Sequence, residues 1–214
     1  MSSAGCSLDG MTNRPAARTA SPAQPTRDRL LDAAADLFYR QGVGIGVEAL
    51  CRSAGVSKRS MYQLFGSKDE VVAAALERRG PDYQKTLLPS EDHEGSPRER
   101  ILYVFRRLED VSGEDFHGCP FAAAAMELKS PDHPASQVAR RYKNALTAFF
   151  RREAELGGAH DPDLLAHQLT IAFDGASSWA VVQAGSLNGL AVKTAEALLH
   201  TSGLQPAAVS DEGA

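Results

Sequence analysis

Nothing in this chain is apolar for long enough to cross a bilayer: no run approaches the roughly 18 consecutive apolar residues that a membrane helix needs. The first 25 residues also lack the apolar stretch of a secretory signal, so neither an integral nor an exported protein is expected, and no membrane partner. Cysteine is scarce. Cys6, Cys51 and Cys119 are too few and too scattered for a zinc ribbon or a disulfide framework, and an odd count favours reduced thiols, which points to the cytoplasm. The six histidines lie on separate segments, and only His117 and Cys119 stand at ligand-like spacing, whereas a metal centre needs three or four converging donors. No metal and no cofactor are expected. Enzyme signatures are missing as well: there is no Gly-rich phosphate loop, no Gly-x-Ser-x-Gly element and no His-Glu-x-x-His pair. The acidic cluster Glu91, Asp92 and Glu94 falls in a linker and reads as solvated charge. No segment alternates apolar and polar residues as a half-buried strand would, and no internal repeat is visible, which leaves an all-α chain.

What is present is distributed unevenly. The net charge of −4 argues mildly against a polyanionic partner, but residues 26–79 hold nine Lys and Arg against seven Asp and Glu, while residues 80–214 hold twelve against nineteen. The first module is therefore free to approach nucleic acid. Residues 1–25 combine small and polar residues with Pro15, Pro22 and Pro25 and read as a disordered tail; Met11 is a second candidate start. From residue 26, Leu30, Ala34, Leu37 and Phe38 make one apolar stripe, with Thr26 placed to cap the helix and Gly42 to end it. Two short helices follow at 47–54 and 58–65, separated by Gly55, Val56 and Ser57. A fourth starts after Ser67, with Asp69 and Glu70 in its first turn, and Gly80-Pro81 is expected to end or kink it. Ser96-Pro97-Arg98-Glu99 is a capping box opening a helix to about 111 that turns Ile101, Leu102, Phe105 and Leu108 inward. Further helices are expected at about 120–129, 135–156, 162–184 and 188–200.

The stretch VEALCRSAGVSKRSMYQLFG at 47–66 meets the physical requirements of a helix-turn-helix. Leu50, Ala54, Val56, Met61 and Leu64 are apolar where two helices must pack, Cys51 is small where the second helix approaches, and Gly55 stands where the turn needs a positive φ. A helical hairpin inside a bundle would share these apolar positions. It would not need Ser57, Lys58, Arg59 and Ser60 at the start of the second helix, Tyr62 and Gln63 extending that face, or Lys68 at the next helix start beside free backbone N–H groups.

Residues 26–76 resemble the N-terminal domain of the TetR family of transcriptional regulators. RLLDAAADLFYRQG at 29–42 and ALCRSAGVSKRSMYQLFGSKDEVV at 49–72 carry the resemblance, with AGVSK, a tyrosine, an aromatic closing the recognition helix and a Lys–acidic pair just beyond. It implies a three-helix helix-turn-helix DNA-binding domain (26–72), then a C-terminal helical bundle for ligand binding and dimerisation (73–204) and a flexible C-terminal tail (205–214). It further implies a ligand-relieved repressor, a homodimer through its last two long helices, that binds a near-palindromic double-stranded DNA operator and a small-molecule effector. Carried over by position, Lys58, Arg59, Ser60 and Gln63 face bases, and Ser57, Tyr62 and Lys68 hold phosphates; Arg59 is the best base reader, since its planar fork suits guanine. Two positions depart from the family pattern: Gly46 stands where a Ser or Thr cap is usual, and Gly80-Pro81 interrupts the helix that usually couples the sensor to the DNA reader.

The sensor half says less. Phe105, Phe116, Met126, Tyr142, Phe149, Phe173 and Trp179 are candidate pocket lining, with ordinary core packing as the alternative. Cys119 opens a helix, where the dipole favours thiolate; a reactive sensor thiol and a buried, inert one are both open readings. Leu165, Leu169, Phe173, Ala176 and Ala180, with Gly175, Ser177 and Ser178 nearby, suit a dimer face and suit an internal core equally. A helical adaptor that binds protein rather than DNA is the competing function; it has no use for Lys58, Arg59 and Lys68 on one face.

Overall fold

Local capping chemistry sets most of the helix boundaries in the structure, a computed structural model that describes residues 25–205. The tails read at 1–25 and 205–214, and Cys6, lie outside the described residues apart from Pro25 and Gln205. The elements are α1 (Thr26–Gln41), α2 (Val47–Ala54), α3 (Lys58–Leu64), α4 (Lys68–Leu87), α5 (Pro97–Val111), α6 (Pro120–Leu128), α7 (Pro134–Leu156), α8 (Pro162–Gln183) and α9 (Leu190–Thr201). The fold is all-α, and no strand occurs among the described residues.

At α5 the reciprocal cap is complete: Ser96 Oγ accepts from the Glu99 amide at 3.3 Å, and the Glu99 carboxylate accepts from the Ser96 amide at 2.7 Å. Asp161 caps α8 by accepting from the Leu164 amide at 2.9 Å, with Pro162 at the first helical position. Two starts differ from expectation. Pro25, not Thr26, holds the cap position of α1, because the fixed proline φ suits the extended residue before a helix and leaves Thr26 inside the first turn, with no side-chain cap. Asn188 and Gly189 both take left-handed backbone, so α9 opens at Leu190 rather than at 188.

The largest departure concerns Gly80-Pro81, which neither ends nor interrupts α4; the helix runs on to Leu87. Proline at 81 removes the amide that would bond the Glu77 carbonyl. The Tyr142 hydroxyl of α7 reaches that carbonyl, 3.5 Å away, and Gly80 supplies the space for the ring, since a Cβ there would overlap it. A long helix thus survives its proline because a neighbour replaces the missing donor.

Two cores result. The first joins Leu30, Leu31, Ala34 and Phe38 of α1 to Leu50, Met61, Phe65, Val71 and Val72, and it extends into Phe121 and Ala124 of α6 and Val138 of α7. The second lies among α5, α7, α8 and α9, around Phe105, Phe150 and Phe173. Residue 72 therefore falls inside α4, and the first core draws on helices from both sides of it. Leu165, Leu169, Phe173 and Ala180 are buried in the second core, which makes that stripe of α8 an internal one. Inside this half, Arg100 Nε meets the fully buried Glu153 carboxylate at 3.1 Å.

Candidate nucleic-acid interface and the junction behind it

The pair α2–α3 is built from the inside outward. Leu50, Cys51 and Ala54 of α2 meet Met61 of α3, with Cys51 Sγ 3.9 Å from Met61 Sδ, a separation that a larger residue at 51 would not permit. Burial pushes the Cys51 thiol above its ordinary value, against a smaller opposing pull from Lys58. Gly55 turns the chain at φ 64°, ψ 37°, and the Gly55 and Val56 amides close α2 on the Arg52 and Cys51 carbonyls at 3.3 and 3.0 Å. Leu64, expected in this packing, is 39% exposed; Met61 and Phe65, four residues apart, hold the buried face and leave Leu64 on its flank.

The opposite face of α3 is polar. Ser57 caps it, its Oγ accepting from the Ser60 amide at 3.0 Å and lying 2.8 Å from Ser60 Oγ. Lys58, Arg59, Tyr62 and Gln63 are exposed on one side, with Ser60 half-buried between them. Lys58 is engaged: its ammonium meets the Glu48 carboxylate of α2 at 2.6 Å, which holds the carboxyl below its ordinary value and raises the lysine. Arg59 has no ion pair among the described residues. Lys68 opens α4 behind the Ser67 cap, whose Oγ accepts from the Glu70 amide at 3.2 Å, so half-buried Lys68 stands beside a helix N-terminus. Gly46 is the extended cap residue of α2 and makes no side-chain bond. Of the seven residues read as DNA contacts, six lie on α3 or at its cap, and Lys68 opens the next helix.

The candidates for effector lining are not brought to one place. Phe105 and Phe173 are fully buried and 6.3 Å apart, with Phe150 stacked on Phe105 at 5.8 Å. Phe149 packs at the edge of the same core. Tyr142 stacks on Phe121 at 4.3 Å in the seam with α4. Met126 and Trp179 are more than half exposed, on α6 and α8. Cys119 is buried beside Tyr83, whose hydroxyl is pushed well above its ordinary range by burial first and by the neighbouring thiol second. Phe116 lines a cavity of about 400 Å³ between α1, α4, α6 and the α5–α6 connection, whereas Met126 borders an open groove between α6, α7 and α8. Asp174 pairs with Lys143 of α7. Among the described residues no group of three metal-capable side chains converges, and no helix is long and apolar enough to cross a membrane.

The model of the bacterial tetR family of regulatory proteins matches residues 30–75. The regulator UidR of Escherichia coli is 28% identical over 149 residues, covering 66% of this chain and 72% of that protein. The helix-turn-helix regulator TtgW of Pseudomonas putida is 40% identical over 102 residues, covering 47% of this chain and 76% of its own. A solved structure, the TetR-type regulator sav143 of Streptomyces avermitilis, is 57% identical, covers 85% of this chain and all of its own, and superposes with a TM-score of 0.82.

The chain belongs to the TetR family. It is accordingly a helix-turn-helix transcriptional regulator rather than an enzyme. Several side chains that shape this TetR protein had no signal in its sequence. Glu127, in the alanine-rich α6, reaches back to the loop after α1 and accepts from the Val43 amide at 2.8 Å and the Gly44 amide at 2.6 Å. Tyr39 of α1 accepts from the His117 amide at 3.1 Å and stacks under the Arg79 guanidinium at 4.1 Å. Arg78 of α4 bridges Asp28 and Asp32 of α1 at 3.1 and 2.5 Å. None belongs to a periodic pattern; each is a contact between residues distant in sequence, of a kind that spacing cannot reveal.

Proposed function

We propose that the chain is a ligand-relieved repressor that binds a near-palindromic operator as a homodimer, with residues 26–72 reading DNA and residues 73–204 carrying the effector site and the dimer face. The observation that carries this reading is the outer face of α3. Arg59, Lys58, Tyr62 and Gln63 project from a short helix whose inner side is fixed by buried Met61, and Lys68 flanks it at the start of α4. Such a helix fits a major groove, with Lys58, Arg59, Ser60 and Gln63 at base edges and Ser57, Tyr62 and Lys68 on phosphates.

Support for dimerisation comes from α8. Opposite its buried stripe, Leu164, Ile171, Trp179 and Val182 form an exposed apolar row, Ile171 and Val182 at 72% and 76%, with small Gly175 and Ser178 between them. A second copy packing there would bury these residues and set two recognition helices for successive grooves. A ligand that favours one spacing of the two reading heads would lower operator affinity by population shift.

The test is the salt dependence of binding to DNA flanking the gene, for the native chain, Arg59→Ala and Lys68→Ala. Arg59→Ala is expected to lose discrimination by roughly 1–3 kcal/mol. Lys68→Ala is expected to weaken all sequences alike and to flatten the salt slope by about one. Sequence-indifferent binding by the native chain, persisting after selection from random DNA, would overturn the reading and favour a protein-binding adaptor.

A further inference from the structure

The interior of the helical domain is filled. Phe105, Phe150 and Phe173 occupy its centre, and the space beside Tyr83 and Cys119 is about 20 Å³, no more than a water's worth. The groove between α6, α7 and α8 is broad but open, and it lies against the apolar row of α8. The junction cavity differs from both. At about 400 Å³ it is within the range that holds a small molecule, and its walls come from both the DNA-reading head and the helical bundle.

Its polar lining converges on one corner. The Arg79 guanidinium of α4 lies 4.1 Å over the Tyr39 ring of α1, and the His117 ring sits 5.2 Å from that same ring. The nearest anion to Arg79 is Asp36 at 3.8 Å, beyond hydrogen-bond reach, so the guanidinium fork keeps donors to offer. Tyr39 already accepts from the His117 amide, which leaves its own O–H to donate. The His117 Nδ1 lies 2.8 Å from the Asp115 carbonyl and, since a carbonyl only accepts, carries the proton there. Two carboxylates also line the cavity. Glu127 is spent on the Val43 and Gly44 amides, and Glu114 stands exposed at the rim. Around this corner the walls are apolar, from Phe38, Phe116, Leu76 and Val181.

We propose that the junction cavity is the effector site and that it takes a flat apolar molecule bearing a carboxylate, received by the Arg79 fork and the Tyr39 hydroxyl. The effector role rests on the ligand-relieved reading above, with α1 now sharing a site that reading gave to residues 73–204; the binding site itself does not rest on it. Gly42, Val43 and Glu127 form one wall, so a ligand filling the cavity presses between α1 and α6, the two elements that Glu127 ties together through the loop leading into α2. Separating them reorients α2 and α3, and a ligand bound preferentially to that arrangement lowers DNA affinity.

The test is calorimetric titration of the full chain with three probes of one shape, 2-naphthoate, 2-naphthamide and 2-naphthamidine. Naphthoate is expected to bind at least tenfold more tightly than the other two. Arg79→Gln should abolish that preference while leaving amide binding alone. Ala123→Phe, a substitution at an exposed position of α6 on the cavity wall, should weaken all three probes without lowering the melting temperature. At saturating naphthoate, affinity for a DNA fragment selected from random sequence should fall at least tenfold. Equal binding of the three probes, preference for the amidine, no binding at millimolar concentration, or indifference to both variants would each overturn the site. Naphthoate binding with unchanged DNA affinity would overturn the effector role alone. Failure of the unliganded chain to select any DNA would instead overturn the repressor reading, leaving the calorimetric result to judge the site.

Discussion

The ring of Tyr142 fills the space that a side chain at Gly80 would need, and its hydroxyl lies 3.5 Å from the Glu77 carbonyl that Pro81 leaves without a backbone donor. Glycine and proline, adjacent in α4, would each be unfavourable in a helix interior by themselves. Together with a tyrosine from α7 they form a seam along which α4 and α7 lock, and α4 is the helix that carries Lys68 at one end and joins the bundle at the other.

Gly80→Ala is expected to cost about 2 kcal/mol, the overpacking of a filled site, although alanine is the better helix former. In a Tyr142→Ala background the same substitution should be neutral or stabilising, by up to about 1 kcal/mol of helix propensity. Denaturant unfolding of the four members of the cycle checks this. The change of sign is the signature of direct contact, and additive costs would remove the seam from the account.

Where the fold was legible in the sequence, a local rule decided it. The α5 capping box, the Gly55 turn and the Asp161-Pro162 start of α8 are each written in four residues or fewer, and the structure has all three. The register of α2 and α3 followed from the apolar spacing, except that Leu64 and Phe65 are adjacent and spacing alone could not show which one the core would take. What spacing could not reveal depends on partners far away in sequence. Pro81 reads as a helix breaker until Tyr142, some sixty positions on, is placed against it. Candidate lining such as Phe105 and Phe173 shows the same limit: an aromatic on an apolar stripe looks alike whether it borders a cavity or fills one. The polar face of α3 was readable because exposed basic residues on a short helix have no packing role to confuse them with.

Arg100 and Glu153 make the buried ion pair of the second core, the carboxylate fully buried and the guanidinium nearly so. Removing Arg100 leaves the buried carboxylate only the exposed Arg152 guanidinium, 3.6 Å away, as a partner. Arg100→Met should cost about 3–5 kcal/mol. Adding Glu153→Leu should recover most of that loss, because two apolar side chains of similar volume dispense with the desolvation of both charges. Thermal unfolding distinguishes this from simple packing damage, which the second substitution would deepen.

Acid should weaken α5 through its cap. The Glu99 carboxyl is held below its ordinary value, first by the Ser96 amide and then by the Ser96 hydroxyl. A depressed carboxyl contributes stability above its unfolded value of about 4.3, and the contribution is lost as pH falls through the lower folded value. Glu99→Gln can keep the hydrogen-bond geometry without the charge. The native chain should therefore melt above the variant at neutral pH, and the gap should close as pH falls below the unfolded value of about 4.3 and through the lower folded one. A gap that stayed constant across that window would show that the charge adds nothing to the cap.

The exposed pair between Glu48 and Lys58 sets a last expectation, since it holds a predicted DNA-contacting ammonium against α2 in the free protein. Binding must break or share that pair, and an exposed pair of this kind contributes little to stability. Glu48→Gln frees the lysine and removes a negative charge from the face that meets phosphate. Affinity for selected DNA should rise, by up to about fivefold at low salt, while folding stability hardly changes. Raising the salt from about 50 to about 200 mM should shrink the gain, because screening weakens exposed charges. Fluorescence anisotropy across that range reads both quantities. An unchanged affinity would mean that Lys58 already leaves Glu48 freely, and a reduced one would mean that Glu48 is needed to aim the lysine rather than to restrain it.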